Sequence, residues 1–204
     1  MRKIFVTGIG TEVGKTIISA VLTEALQADF WKPIQCGNLE MSDTQRVQRL
    51  VSNDISVFHP EAYQFEQQYA PYLASKLSDE KVRLGKLSPP ETENTLIIEG
   101  AGGILIPYNY RGDTLFDVAL QHEAEIVVVC KHYAGSINHT LLTLEHLKQT
   151  GATVLGIIFN GKADRDNERV ILNKSKIPVL GRINFEFELS KEVIKRYAHD
   201  YVFI

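Results

Sequence analysis

Short, nearly continuous apolar runs recur along the chain, separated by segments in which apolar residues return every third or fourth position. Ile4-Phe5-Val6, Leu96-Ile97-Ile98, Ile126-Val127-Val128-Val129-Cys130 and the segment Val154–Phe159 are the main runs. Their lack of polar alternation predicts parallel strands covered on both faces. After the first run, Ile18, Val21, Leu22 and Ala25 fall at i, i+3, i+4 and i+7, which predicts a helix from Lys15 to about Gln27 with one buried face. Phe30 to Ile34 reads as a second short strand, with Pro33 leaving the sheet. Ser42 caps a helix to about Val51, and Tyr69–Ala74 opens a short one. Thr95 to Glu99 is a strand expected to end at its carboxylate, with Gly100–Gly103 as the following loop. Helices follow from Asp113, from Ile137 to Thr150 with Gly151 as its stop, and from about Asp164 to Asn173. Val179-Leu180-Gly181 forms a last strand, and Ser190 caps a C-terminal helix. Residues 52–90 carry the weakest periodicity and are expected to form a wall of the ligand pocket.

Strands alternating with helices predict an α/β fold: a doubly wound, mostly parallel sheet with helices on both faces. No repeat, linker or low-complexity tract divides it, so residues 1–204 are expected to form one domain. Ligands in such sheets gather beyond the C-terminal strand ends. The stretches to inspect are therefore 8–16, 32–37, 99–103, 131–139 and Asn160.

Composition narrows the partners. With 44% hydrophobic residues over 204 positions, the chain can bury one substantial core. A formal charge of −3 gives no electrostatic case for nucleic acid or an anionic membrane. Cys36 and Cys130 make neither a metal spacing nor a disulfide framework, which suits a reducing cytoplasm. No signal-peptide pattern or membrane-length apolar stretch is present, so a soluble cytoplasmic protein is expected.

The most informative stretch is Gly8-Ile9-Gly10-Thr11-Glu12-Val13-Gly14-Lys15-Thr16, between the first strand and first helix. Glycines let backbone N–H groups close around phosphate oxygens, and the helix N-terminus adds positive potential. Lys15 would reach the β/γ-phosphates of a nucleotide and the Thr16 hydroxyl would ligate Mg²⁺. The spacing is G-x5-G-K-T, one residue longer than the usual phosphate loop, because Ile9 sits where glycine or alanine is customary. Glu99, closing an apolar strand, would be costly to bury unless paired or metal-bound. With Thr16 and Asp43 it makes a candidate Mg²⁺ set; the plainer alternatives are a solvated strand-end acid and, for Asp43, a partner of the helix dipole. Lys32 could neutralise a transferring phosphoryl group, or simply be an edge-strand lysine. Asn160-Gly161 could offer an amide to a purine or be a turn. Ser136–His139 opens a helix whose N–H groups could hold a carboxylate, or be a Ser cap with nothing bound.

Taken together, Gly8-x-x-Thr11-Glu12-Val13-Gly14-Lys15-Thr16, Lys32-Pro33, Glu99-Gly100-Ala101-Gly102-Gly103, Gly135-Ser136-Ile137-Asn138-His139 and Asn160 resemble the dethiobiotin synthetase family in order and spacing, over nearly the whole chain. The resemblance implies a cyclo-ligase that uses ATP, CO₂ and Mg²⁺ to close a cyclic urea on 7,8-diaminopelargonate in biotin biosynthesis. One amine captures CO₂ as a carbamate, the carbamate oxygen attacks the γ-phosphate, and the neighbouring amine displaces phosphate from the mixed anhydride. It implies Thr11, Lys15 and Lys32 as catalytic residues, and Thr16, Asp43 and Glu99 on the metal. Glu12, Val13, Gly14, Lys15, Thr16, Ile17, Asp43, Glu99, Gly100, Ala101, Gly102 and Asn160 would hold the nucleotide and its metal. Cys36, Gly135, Ser136 and Asn138 would contact substrate, the last three across a homodimer interface. The chain departs from the family pattern at Ile9-Gly10, Cys36, Tyr72, Tyr133 and Asn184, which bears on substrate contacts and nucleotide preference. Competing readings are a ParA- or MinD-like ATPase switch, whose early loop lysine is replaced here by Gly10, and an amidoligase acting on another substrate.

Overall fold

A computed structural model describes residues 1–201. Seven strands form one sheet in which every pairing is parallel: β1 (Lys3–Gly8), β2 (Asp29–Trp31), β4 (Phe58–His59), β6 (Leu96–Gly103), β7 (Glu125–Lys131), β8 (Val154–Asn160) and β9 (Val179–Ile183), in the order β4-β2-β6-β1-β7-β8-β9. The remaining strands, β3 (Ile34–Cys36) and β5 (Tyr63–Phe65), pair with each other apart from it. Helices α1 (Lys15–Leu26), α2 (Asp43–Leu50), α3 (Pro71–Leu77), α4 (Leu115–Gln121), α5 (Ser136–Gln149), α6 (Arg165–Ser175) and α7 (Lys191–Ala198) fill the connections. The chain moves outward from β1 to β2 and β4, returns to β6 beside β1, then crosses to β7 and continues the other way. That reversal puts the loop after β1 at the switch point of the sheet, where a crevice opens.

The apolar runs behave as their lack of alternation predicts. Ile4, Val6, Leu96, Ile97 and the run from Ile126 to Val129 have no exposed surface. Ile18, Val21 and Leu22 of α1 are sealed against them, while Ala25 is half-buried. Ser42 does cap α2, accepting from the Gln45 N–H while the Gln45 side chain accepts from the Ser42 N–H. Ser190 caps α7 in the same position, accepting from Val193.

Two expectations are corrected. The expected single strand from Phe30 to Ile34 is two: β2 leaves the main sheet at Lys32-Pro33, and β3 restarts in the small one, where the Pro33 carbonyl accepts from Ala62 and Tyr63. Proline supplies no ladder donor, so the break falls there. The second correction concerns β6, which does not stop at Glu99 but runs on through the glycines to pair Gly103 with Gly8. A Cβ on Gly100 would lie 2.9 Å from the Phe5 ring, so glycine here permits close packing of an extended strand. Glu99 therefore sits within a strand, buried to 1% exposure. Smaller shifts occur at the helix from Asp113, which begins at Leu115 behind a Thr114 cap, and at the helix from Ile137, which begins at Ser136.

The segment after α2 is tied to the sheet from behind. Glu24 accepts bonds from Ser52 and Asn53, and buried Asp29 accepts from the Val57 N–H, Thr92 Oγ1 and Asn94 Nδ2, with His59 Nε2 3.3 Å away. Among the described residues, no helix is long and apolar enough to cross a membrane.

Candidate active site

The loop after β1 explains its own odd spacing. Ile9 continues the strand, donating its N–H to the Val129 carbonyl and burying its side chain, so the extra residue belongs to the core. Gly8 must lack a side chain because a Cβ there would come 2.5 Å from Val13. Gly14 takes φ +98° and opens α1, and a Cβ on it would lie 2.0 Å from Asn160 Nδ2. Asn160 donates that amide to the Val13 carbonyl at 2.8 Å, so β8 braces the loop from outside. Glu12 is also held at positive φ (+55°), a conformation uncommon outside glycine. The Lys15 ammonium folds back onto the Gly10 carbonyl at 2.8 Å.

Three other elements bring their side chains to the same place. Lys32, leaving β2, reaches Glu99 Oε1 at 2.8 Å, Asp43 Oδ2 at 2.9 Å and the Gly100 carbonyl at 3.2 Å. Thr16 Oγ1, in the first turn of α1, donates to Glu99 Oε1 at 3.1 Å. Asp43 opens α2. Two cations, two carboxylates and a hydroxyl thus face one cavity of about 470 Å³. Thr11, Glu12, Gly14 and Ile17 line it on the loop side; Cys36, Ala101 and Gly102 line it opposite. Val13 is buried beneath the loop and Gly100 offers its carbonyl to Lys32, so these two serve the cavity from behind. Gly135, Ser136 and Asn138 line a different pocket at the start of α5, and within the single chain they do not meet the others.

Electrostatics separate the four charged groups. Burial, helped by the Lys32 charge, pulls the Lys15 ammonium down to about 8, against the opposing pull of Glu99 and Asp43. Burial would lower Lys32 too, but Glu99 and Asp43 outweigh it and hold its pKa above the ordinary lysine value. Burial opposes charge on Asp43, yet Lys32 outweighs it and keeps that carboxyl below the usual range. Glu99 goes the other way: burial, reinforced by Asp43, pushes its carboxyl up despite Lys32. Cys36 is pushed up to about 11 by burial, so it presents a neutral thiol.

The donor set suits a hard divalent cation: a hydroxyl and two carboxylates on three elements, with Glu99 Oε2 buried and without a hydrogen-bond partner. Among the described residues, no group of three or more His, Cys, Asp or Glu could hold a metal by itself. Mg²⁺ would need phosphate oxygens and water to complete its shell, which is its usual manner of binding.

Several lining residues escape sequence reasoning. Gln35, Asn38 and Arg46 face the cavity, as do Gln68, Tyr69, Ala70 and Pro71 from the 52–90 segment. The wall expected of that segment is therefore there, although Tyr72 itself turns away to stack edge-on with Tyr110. Arg46 had a signal, three residues after Asp43 on a capped helix; Gln35 had none, because its partners are backbone groups of Gly37 and Asp43 that only the fold brings to it.

Comparison with known proteins agrees with this geometry. The profile of the AAA domain family matches residues 2–193. ATP-dependent dethiobiotin synthetases from Christiangramia forsetii and Cytophaga hutchinsonii are each 44% identical, over 98% and 97% of this chain and 96% of their own lengths. The enzyme of the same name from Agrobacterium fabrum is 38% identical, over 93% of this chain and 89% of its own. Among solved structures, Pyrococcus horikoshii MinD complexed with Mg-ADP superposes with a TM-score of 0.59 at 13% identity, over 98% of this chain and 95% of that one. A ParA family ATPase from Chlorobium tepidum gives 0.55 at 13% identity, over 97% and 98%. At such low identity these last two share the fold alone. The long phosphate loop, the Lys32–Glu99–Asp43 cluster behind it and the near full-length identities converge: this chain belongs to the dethiobiotin synthetase family.

Proposed function

We propose that this chain is an ATP-dependent cyclo-ligase that forms the cyclic urea of dethiobiotin from 7,8-diaminopelargonate and CO₂. The observation that carries this reading is the convergence of Lys15, Lys32, Thr16, Asp43 and Glu99 on one cavity, built from four separate stretches of sequence.

The triphosphate tail lies in the loop after β1, where the N–H groups opening α1 face it and Gly14 leaves room for close approach. Lys15 exchanges the Gly10 carbonyl for phosphate oxygens, and Lys32 turns part of its charge towards the γ-phosphoryl group as the carbamate oxygen attacks. These fixed cations offset charge that grows during transfer and cost no reorganisation at that moment. Thr16, Asp43 and Glu99 would hold Mg²⁺, which would neutralise phosphate charge. The second amine is already tethered to the first, so ring closure is an intramolecular attack favoured by proximity. Gln68–Pro71 and Cys36 wall the space where the diamine carbons would lie. Gly135, Ser136 and Asn138 bind the substrate carboxylate from the partner subunit of a homodimer, which accounts for their separate pocket. Asn160 sets the edge of the adenine site through its hold on the loop. The protein acts in the cytoplasm, without nucleic acid or membrane as partner.

ADP and phosphate should form only when diaminopelargonate, bicarbonate and Mg²⁺ are all present. Robust hydrolysis without the diamine, stimulated by DNA, would overturn the reading in favour of an ATPase switch.

A further inference from the structure

Gln35 is a buried amide in β3, and both ends of its side chain are committed to the two ends of the 37–43 segment. Its Oε1 accepts from the Asp43 N–H at 3.1 Å, and its Nε2 donates to the Gly37 carbonyl at 2.9 Å. Residue 35 is 3% exposed. The segment from Gly37 to Asp43 is thus closed at both ends by a single side chain. Its start is fixed independently: Gly37 has φ +72°, donates to the Phe65 carbonyl at 2.7 Å, and a Cβ there would lie 2.8 Å from Gln68.

The Asp43 N–H is one of the donors that a helix leaves unmatched in its first turn. Ser42 satisfies the Gln45 N–H, and the first bond of α2 itself goes from Arg46 to the Ser42 carbonyl. Asp43 depends instead on an amide eight residues upstream. Gln35 lies three residues beyond Lys32, across the β2–β3 break, and Lys32 grips the carboxylate of the same aspartate. Backbone and side chain of Asp43 are therefore both held from one short stretch of chain.

We infer that Gln35 is the positioning residue that sets the Asp43 carboxylate for the divalent cation bound with ATP. This rests on the reading of Asp43 as a metal-holding acid. Each polar atom of Gln35 is already bonded to the 37–43 segment, which directs its action to Asp43. Removing outer partners of a metal-holding carboxylate typically weakens metal affinity by about 10–100-fold.

The test is a double-mutant cycle on Mn²⁺ binding, followed by electron paramagnetic resonance in the presence of a nonhydrolysable ATP analogue. Gln35→Met should weaken Mn²⁺ about tenfold or more while affinity for the analogue without metal stays within about twofold. In an Asp43→Asn background, Gln35→Met should add little, because the group it orients is gone. Equal effects in both backgrounds would mean that Gln35 only supports the fold, and overturn the inference. If Asp43→Asn alone leaves Mn²⁺ affinity unchanged, the reading of Asp43 fails, and the inference with it. Should Gln35→Met not fold, Gln35→Asn decides: one methylene shorter, it keeps the amide but falls short of the Asp43 N–H, and a loss of Mn²⁺ affinity of about tenfold is expected. Native affinity in that variant would overturn the inference.

Discussion

Replacing Lys32 by methionine removes the cation that faces both carboxylates while keeping most of the buried stem. Two consequences follow from the distances. The Lys32 and Glu99 side chains are 6% and 1% exposed, so the pair is out of water and Glu99 loses its partner at 2.8 Å. Leaving a buried charge unpaired costs about 3–5 kcal/mol. Asp43 is 21% exposed and recovers some hydration, which favours the lower end, about 3 kcal/mol. For a chain of this length that is a fall of about 6–12 °C in melting temperature. The loss should depend on pH. Burial already raises the Glu99 carboxyl, and without Lys32 it rises further. A raised acid binds its proton more tightly folded than unfolded, so its contribution is full below the unfolded value and falls as pH climbs through the folded one. The variant should therefore sit close to the parent near pH 5 and well below it at pH 8. Melting curves by circular dichroism at those two pH values measure this directly. Turnover should fall about 10²–10³-fold, the usual cost of losing one preorganised charge donor, with nucleotide still bound. A deficit of equal size at both pH values, or normal turnover, would refute the reasoning.

Other expectations follow from the same coordinates. Because burial and the Lys32 charge pull Lys15 down to about 8 and phosphate would restore its charge, nucleotide binding should draw in a proton above about pH 8 and none from this group near pH 7. Calorimetry in buffers of different ionisation enthalpy would show it, and identical proton uptake at both pH values would count against it. Gly14→Ala combines positive φ with a contact of 2.0 Å to Asn160, so nucleotide affinity measured by fluorescence titration should collapse; retained affinity would mean that the loop rebuilds freely. Gly100→Ala pushes a methyl against Phe5 and should destabilise by about 1–3 kcal/mol in urea unfolding, a cost absent if β6 really ended at Glu99. Ser42→Ala loses the cap of α2 and should cost about 1 kcal/mol in the same assay, with no change if the capping box contributes nothing.

The parallel sheet was legible because its strands are covered on both faces and carry the simplest possible signal, unbroken apolarity. Lys15, Thr16 and Asp43 were legible because loop and cap chemistry are local: glycine spacing in one case, a capping serine in the other. Glu99 was placed correctly in the cavity but wrongly at a strand end. Glycine after a strand is ordinarily punctuation, and only the ring of Phe5, on the neighbouring strand but far away in sequence, makes it a packing requirement here. The break at Lys32-Pro33 was half visible, since proline announces departure from a sheet but not the small second sheet that receives the chain. Gln35, Gln68 and Tyr69 left no trace in periodicity because their place at the cavity is set by tertiary contacts alone.

Asp29 opens β2, at the end of the strand away from the cavity, yet it fastens the base of the segment whose far end supplies Gln68–Pro71. That wall is a flap sewn down at its hem. A lesion at Asp29 would touch no reactant, but it would let the flap drift, and the damage would register in the kinetics as a poorly shaped active site. Random substitutions that impair this enzyme should therefore gather at the two ends of the same strands, one where the chemistry happens and one where the flap is stitched.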